Sequence, residues 1–315
     1  MKVDDVRSIA IVGAGLMGHS MAQEFALAGY EVHTYNRTEE KLQHTIKSIQ
    51  ANHQMLRSLG MVSQEQAEQV PRNIHPSTVF KDVVVGADVV IESVFENLEL
   101  KQEIFQELDK LCPEHTILAT NSSTLVPSKL ASVTQRPDKV IGTHYFNPPH
   151  LLPLVEVVCG PETSDETITT ICDLLTKVGK SPAIVRKEVP GFIGNRLQAA
   201  LLREALSIVE QGVASPQDVD IVIKKGFGRR YAAAGVFEIF EIAGWDLVFA
   251  AASYLLPYIE NSTELSPLVK DRVGRGELGV KTGKGFYEWT PESAEALKQR
   301  IGRTLVKIAQ LSQID

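Results

Sequence analysis

A single glycine-rich turn near the start of the chain limits the possible folds more than any other feature. The sequence GAGLMG at residues 13–18 follows a short apolar run, residues 9–12, which is typical of a buried parallel strand. A helical pattern then extends over residues 19–28, and a second strand is predicted over residues 31–35. A strand, a glycine turn, a helix and a strand within about thirty residues together predict a βαβ unit.

The spacing of the three glycines in this turn indicates a dinucleotide site. Gly13 permits the tight turn, Gly15 lets the backbone approach a pyrophosphate, and Gly18 allows the helix to pack on the strand. The N-terminus of that helix attracts an anion. Because the turn follows a strand and opens a helix, we interpret it as a dinucleotide-binding loop that includes Leu16 and Met17, in preference to a structural turn.

The alternation of strand and helix patterns continues to residue 186. Further strands are predicted over residues 87–94, 116–120, 139–145, 154–158 and 182–186, and helices over residues 41–59, 98–111 and 165–178. Such alternation predicts an α/β fold with a Rossmann-type doubly wound sheet.

Beyond residue 188 the strand patterns stop. Residues 192–211 show helical spacing, Ser215 is placed to cap a helix that starts at Pro216, and residues 236–260 are richly apolar. We therefore predict a dinucleotide-binding domain over residues 1–188 and an all-α domain over residues 189–315. The excess apolar surface of the second domain predicts contact with another subunit, so we expect a homodimer.

The composition restricts the partners and the compartment. The 315 residues contain 32 Lys and Arg against 39 Asp and Glu, and a net charge of −7 argues against nucleic acid as the main partner. Three cysteines without a close ligand pair, Cys112, Cys159 and Cys172, favour neither a disulfide framework nor a metal site, and a reducing cytoplasm is expected. No segment approaches 18 apolar residues and the N-terminus is polar, so we expect neither a membrane span nor a signal peptide.

The end of the second strand bears on the choice of cofactor. An acid that holds the adenosine ribose is expected about 20 residues beyond the glycine loop, but Asn36 and Arg37 stand there. Asn36 can bond to a ribose hydroxyl, whereas Arg37 can pair with a 2′-phosphate, which would indicate NADP. Arg37 is also explained as a solvated residue before the next helix. These residues leave NAD and NADP open, and the missing acid weakens an FAD interpretation.

His144 and Glu156 form the strongest candidate catalytic pair. His144 ends one predicted strand, and Glu156 lies within the β-branched run of the next, where an unpaired carboxylate is costly. Prolines at 148, 149 and 153 exclude a helix between them, so the chain turns back and adjacent strands bring the two side chains together. A carboxylate beside His orients the ring and stabilises imidazolium, as a general base requires. The alternative is a structural buried ion pair.

Two further polar positions are candidates for substrate contacts. Residues 121–124, Asn-Ser-Ser-Thr, follow a predicted strand, and polar groups at the carboxyl end of a strand lie at the mouth of the crevice in such sheets. A helix N-cap explains them equally well. Asn195 lies on the first turns of the helical domain, from which its amide could reach toward a substrate.

Together these motifs resemble the 3-hydroxyacyl-CoA dehydrogenase family over nearly the whole chain. The resemblance rests on GAGLMG at 13–18, TNSS at 120–123, HYFNP at 144–148, LVEV at 154–157, PGFIGNR at 190–196 and KTGKGFY at 281–287. It implies a Rossmann-type domain followed by a helical dimerisation domain. It also implies hydride transfer between C3 of an L-3-hydroxy substrate and a nicotinamide cofactor. NAD is the usual cofactor of the family.

The resemblance also implies roles for individual residues. His144 corresponds to the base that takes the hydroxyl proton, and Glu156 to its orienting partner. Ser123 corresponds to the residue that hydrogen-bonds the reacting oxygen, and Asn195 to the amide that positions the substrate, with Asn147 among the substrate-binding residues. The nicotinamide half of the cofactor site is implied to include Glu96, Lys101 and Asn121.

The sequence departs from the family pattern at three places. Asn36 replaces the usual acid. Members of the family carry lysines that meet the CoA phosphates on a helical hairpin, here residues 55–69, yet residues 55–61 contain one Arg and no Lys. The segment Arg229-Arg230-Tyr231 is more similar to the carnitine and gulonate dehydrogenases of the superfamily. Arg230 could clamp a free carboxylate bidentately, or both arginines could pair with acids on the helical surface.

Three functional hypotheses follow. The first is an NAD(P)-dependent dehydrogenase of short-chain L-3-hydroxyacyl-CoA, similar to 3-hydroxybutyryl-CoA dehydrogenases and acting in fatty acid metabolism. The second is a dehydrogenase of a free 3-hydroxy carboxylate. The third is a cofactor-binding structural protein, because the family includes an eye-lens crystallin; the intact set Ser123, His144, Glu156 and Asn195 argues against it.

Overall fold

Eight strands form one mixed sheet in the part of the chain that precedes residue 194. They are β1 Ser8–Val12, β2 Glu31–Tyr35, β3 Ile74–Ser77, β4 Val89–Glu92, β5 Ile117–Thr120, β6 Val140–Tyr145, β7 Leu154–Cys159 and β8 Ser181–Val185. The spatial order is β3-β2-β1-β4-β5-β6-β7-β8. All neighbours pair in parallel except β6 and β7, which are antiparallel. The carboxyl ends of β1 to β6 therefore share one edge, as in a Rossmann-type fold.

Helices cover both faces of this sheet, as the alternating sequence pattern predicts. They are α1 Gly18–Leu27, α2 Glu39–Ser58, α3 Gln64–Asn73, α4 Phe80–Val84, α5 Leu98–Leu111, α6 Pro127–Ala131 and α7 Asp165–Lys177. Ile9 and Ile11 of β1 pack in one buried cluster with Phe25 of α1, whereas Val12 packs on the opposite face with Phe105 of α5. Alternate residues of a strand point to opposite faces, so each strand contributes to two cores.

In the first unit the sequence patterns miss β3, α3, α4 and α6. β3 contains Pro76, which lowers its strand signal, and proline is tolerated because β3 is the edge strand. α3 contains Pro71 and few apolar residues. The helix predicted from residue 192 begins instead at Gly194, because Gly191 and Phe192 adopt positive φ values of 78° and 49°.

The structure describes residues 1–58, 60 and 62–311 of this chain and is a computed structural model. It divides the chain into two compact units, Met1–Ile193 and a second that starts at Gly194. Within the predicted hairpin over 55–69, residues 59 and 61 lie outside the described residues, as do the last four residues of the predicted C-terminal domain.

The second unit is helical in its described part. Its helices are α8 Gly194–Glu210, α9 Pro216–Lys225, α10 Val236–Ala243, α11 Trp245–Leu255, α12 Pro267–Gly274 and α13 Pro291–Leu311. The Ser215 hydroxyl accepts a hydrogen bond from the backbone of Asp218, so the predicted N-cap is present. Among the described residues no single helix has the length and apolarity to cross a bilayer. α10 and the following segment Trp245–Tyr258 have the required length and apolarity only when they are taken together, and the chain bends by 107° between them.

Candidate active site

The glycine loop places its three glycines in the environments that a dinucleotide loop requires. Gly13 has a φ of 95°, and a Cβ there would lie 2.6 Å from the carbonyl oxygen of Ser93. A Cβ at Gly18 would lie 2.3 Å from the carbonyl oxygen of Gly13, so only glycine permits this close packing. Gly15, by contrast, faces open space, and Leu16 beside it is 72% exposed. The loop backbone is thus open to a ligand such as a pyrophosphate.

The end of β2 is bonded to this loop. The backbone amides of Gly13 and Ala14 both donate to the carbonyl oxygen of Tyr35, at 3.1 and 3.3 Å. The amide nitrogen of Asn36, which is buried, donates to the Ala14 carbonyl at 3.3 Å and to the Thr45 hydroxyl at 3.0 Å. The Asn36 side-chain oxygen is therefore the atom left to accept a bond from a ribose hydroxyl. A cavity of about 640 Å³ opens here.

His144 and Glu156 face each other across the antiparallel β6–β7 pair, the juxtaposition that the prolines between them predict. They are register partners, and the His144 ring nitrogen Nδ1 lies 2.7 Å from Glu156 Oε2. Both side chains are buried. In a neutral imidazole, donation from Nδ1 to an ionised carboxylate leaves Nε2 unprotonated. This is the tautomer that a general base requires.

The turn between β8 and α8 lies in the PGFIGNR motif and completes the surroundings of this pair, a role that the sequence patterns did not predict. The backbone N–H of Ile193 donates to Glu156 Oε1 at 2.8 Å, so both carboxylate oxygens have partners. The ring centroids of Phe146 and Phe192 lie 4.8 and 5.5 Å from that of His144. Phe192 is buried although its φ is positive, a backbone conformation that side chains rarely adopt. Strain of this kind clusters at functional sites.

Glu96 organises the loop after β5. Its Oε1 accepts hydrogen bonds from the hydroxyl of Ser122 and, at 2.8 Å, from that of Thr124. Partial burial opposes ionisation of Glu96, but these bonds and the ammonium of Lys101 lower its pKa to about 2. Glu96 therefore carries its charge at every physiological pH.

Lys101 lies beneath the surface of this loop. Its side chain is 1% exposed, and its ammonium donates to both oxygens of buried Glu92, at 2.8 and 2.9 Å. It also lies 3.3 Å from Glu96. The structure thus places Lys101 where it supports the walls of the site through Glu92 and Glu96.

The remaining predicted residues of the first unit lie near the ends of β5 and β6. The Asn121 side chain accepts a bond from the Tyr145 backbone amide at 2.9 Å and donates to the Ser93 hydroxyl at 3.2 Å, so it links three strand ends. Ser123 and Asn147 are exposed, one on each of the loops that follow these strands.

Three predicted substrate residues, Asn195, Arg229 and Arg230, belong to the second unit. Asn195 is the second residue of α8 and is partly buried. Arg229 and Arg230 lie on a 3₁₀ turn, Phe227–Ala232, and are exposed. Within the described ranges no carboxylate lies within 4.0 Å of either guanidinium, so the alternative that both arginines pair with surface acids is not found.

The residues of the first unit fit a nicotinamide dinucleotide. An open glycine loop, a cavity at the end of β2 and an oriented histidine at the end of β6 lie along one edge of one sheet. Among residues 1–58, 60 and 62–311, no group of three or more His, Cys, Asp or Glu side chains is placed to hold a metal ion.

Comparison with known proteins agrees with this geometry. Residues 8–189 match the 3-hydroxyacyl-CoA dehydrogenase NAD binding domain, and residues 191–289 match the 3-hydroxyacyl-CoA dehydrogenase C-terminal domain. The lambda-crystallin homologue of Bos taurus is 39% identical over 312 residues, 96% of this chain and 95% of that protein.

Two enzymes of known structure are also similar. The 5-formyl-3-hydroxy-2-methylpyridine 4-carboxylate 5-dehydrogenase of Mesorhizobium japonicum is 33% identical over 97% of this chain and 98% of that protein. The solved structure of the enzyme of this name, described as NAD⁺ dependent, matches with a TM-score of 0.90 over the same shares. The structure of (S)-3-hydroxybutyryl-CoA dehydrogenase from Ralstonia eutropha matches with a TM-score of 0.76 at 31% identity, over 90% of this chain and 99% of that one. The chain therefore belongs to the 3-hydroxyacyl-CoA dehydrogenase family and carries that family's NAD-binding domain.

Proposed function

We propose that this protein is a dehydrogenase that oxidises the hydroxyl carbon of a small hydroxy carboxylate, or reduces the corresponding carbonyl. The observation that carries the reaction type is the buried His144–Glu156 pair on the same sheet edge as an open dinucleotide loop. The bound dinucleotide supplies the hydride acceptor or donor. The protein contributes position and proton transfer.

The proton is handled by the buried pair. In the oxidation direction Nε2 of His144 takes the proton of the substrate hydroxyl, and Glu156 stabilises the imidazolium that results. Phe146 and Phe192 restrict the tilt of the imidazole ring. By resemblance to the family, Ser123 is proposed to hydrogen-bond the reacting oxygen of the substrate. On the same basis, the Asn195 amide is proposed to position the substrate.

Three observations support a free carboxylate as the substrate class. Arg229 and Arg230 are adjacent, exposed and free of acid partners among the described residues, as a carboxylate-binding group requires. The hairpin segment 55–69 contains one basic residue, Arg57, against Glu65 and Glu68, a poor composition for the phosphates of CoA. The relative with the TM-score of 0.90 is named for a substrate that carries a carboxylate.

The second candidate is a short-chain 3-hydroxyacyl-CoA substrate, with a role in fatty acid metabolism. The family match and the similarity to (S)-3-hydroxybutyryl-CoA dehydrogenase support it.

Substrate profiling of the purified protein separates the two candidates. We expect turnover with free 3-hydroxy carboxylates and a kcat/KM at least tenfold lower for acetoacetyl-CoA reduction. Arg230→Ala is expected to lower kcat/KM for the free acid by 10-fold to 100-fold, because a charge-assisted bond contributes about 1.5–3 kcal/mol.

Arg203→Ala, on α8, is the control for loss of a cation from the helical unit. Turnover of the thioester alone would contradict the free-acid proposal in favour of the CoA candidate. Cofactor binding without turnover of either class would favour the structural-protein hypothesis.

We also propose that two copies of the chain pair through the helical unit. Large apolar side chains on α10 and α11 are strongly exposed, including Phe237 at 73%, Ile242 at 86% and Phe249 at 75%. An apolar surface of this kind is typical of a subunit interface.

A further inference from the structure

The end of β2 lacks the negative charge that selects NAD over NADP. A carboxylate at this position binds the 2′-hydroxyl of NAD and repels a 2′-phosphate. Asn36 stands here, uncharged and 9% exposed, with its amide nitrogen held by Ala14 and Thr45. The feature that excludes NADP is therefore absent from this strand end.

Three basic side chains line the cavity beside Asn36. Arg37 follows it directly, Lys41 lies in the first turn of α2, and His44 lies one turn further along the helix. Residues three apart on a helix share a face, so Lys41 and His44 present their side chains in the same direction. All three are exposed. In the described ranges, no carboxylate lies within 4.0 Å of the charged nitrogens of Arg37 or Lys41.

The two acids in the first turn of α2, Glu39 and Glu40, are not part of the cavity lining. Glu39 accepts a hydrogen bond from Gln43 at 3.0 Å. The two acids that do line the cavity, Glu103 and Glu107, belong to α5. The acidic residues of the lining are thus on α5, whereas the basic residues lie just after β2 and on α2.

We propose that the group Arg37, Lys41 and His44 binds the 2′-phosphate of NADP, so that the protein uses NADP(H) in addition to NAD(H). Arg37 forms the principal contact because its guanidinium offers a bidentate fork to a phosphate. Lys41 adds a point charge from the first turn of α2. This inference rests on the proposed dehydrogenase function, but it concerns the binding of the dinucleotide and not the substrate.

The test measures binding, without substrate, by titrating the protein with NADH and NADPH and following the nucleotide fluorescence. NADPH is expected to bind at least as tightly as NADH in the unchanged protein. Arg37→Ala is expected to weaken NADPH binding by about tenfold or more and to change NADH binding by less than twofold. Asn36→Asp is expected to weaken NADPH in the same way, because it restores the carboxylate. The matched control is Lys47→Ala, an exposed lysine of α2 outside the cavity lining.

The outcomes separate this inference from the function on which it rests. Tight NADH binding with NADPH weaker by more than tenfold overturns the inference and leaves the dehydrogenase intact, whereas failure to bind either nucleotide contradicts both. Equal loss of both nucleotides in Arg37→Ala also overturns it, because the residue would then not act on the 2′-phosphate. A steeper fall of NADPH affinity than of NADH affinity with rising salt is expected, and equal slopes would contradict the basic site.

Discussion

The two units of the chain bury their apolar residues to very different extents. In the first unit every residue of β4, β5 and β6 is buried, and helices cover both faces of the sheet. In the second unit α10 and α11 are rich in Phe, Ile, Leu and Ala, yet neither helix contains a buried residue. α8 buries only Leu206 and Ser207.

The difference indicates how each unit is stabilised. Burial of apolar surface contributes about 25 cal/mol per Å², and the first unit obtains this within its own sheet and helices. The helices of the second unit carry the same kind of side chain without covering it. The first unit therefore buries the His144–Glu156 pair within its own core, whereas the apolar residues of α10 and α11 stay exposed, which fits the proposed pairing of two copies.

The largest expected effect tests whether the first unit holds the proton-transfer group. His144→Gln removes the base while Gln can still bond to Glu156, so the turnover number is expected to fall by 10²-fold to 10⁴-fold. NADH affinity, measured by fluorescence titration, is expected to stay within twofold, because the glycine loop is unchanged. His75→Gln, an exposed histidine on β3, is the control. A variant at position 144 with near-normal turnover would show that the base lies elsewhere.

The next prediction concerns how the free energy of unfolding depends on the ionisation of Glu24, which is paired with Lys180 in the first unit. The Glu24 side chain is 10% exposed and lies 2.5 Å from Lys180, and burial raises its pKa to about 7 against a partial opposing effect of Lys180. The folded state therefore binds more protons than the unfolded state between about pH 4.5 and pH 7. The free energy of unfolding should consequently fall as the pH rises through this range, by up to about 3 kcal/mol, and stay level above it.

Denaturant unfolding of the Glu24→Gln variant over this pH range measures the contribution. The difference in unfolding free energy between the original protein and the variant should decrease from pH 4.5 to pH 7, since Gln does not titrate. Glu40→Gln, at an exposed glutamate of α2, is the control for replacing a carboxylate with an amide. A constant difference for Glu24→Gln would contradict the raised pKa.

The smallest expected effect tests the apolar face of the second unit. Ile242→Lys places a charge on α10 and is expected to weaken self-association by about thirtyfold, or about 2 kcal/mol, because an interface core excludes unpaired charge. Sedimentation equilibrium gives the dissociation constant. Gln217→Lys, an exposed position on α9, adds the same charge as a control. If the unchanged protein sediments as a monomer at every concentration, the apolar face of the second unit does not mediate self-association, and the proposed pairing is wrong.

Local patterns predicted the elements whose signals are short-range. The helix over 98–111 has the predicted bounds, with Asn97 as its N-cap, and the cap at Ser215 is also present. β3 was missed because Pro76 is acceptable only at a sheet edge, a position that depends on the order of strands. The roles of Ser123, Asn147, Asn195 and Arg230 come from the family resemblance and stay predictions.

The sequence by itself determined the dinucleotide loop and the pairing of His144 with Glu156. The sterics of the tight turn require glycine at fixed positions, and a carboxylate in an apolar strand requires a partner. Both predictions therefore rest on local constraints. Only the tertiary structure decided that Lys101 is buried against Glu92, and that Phe192 packs on His144 from a positive-φ turn. The sequence indicated Arg37 as a phosphate ligand, and the structure adds that Lys41 and His44 line the same cavity. The burial and packing of these residues depend on which elements pack together, and local sequence patterns do not specify that packing.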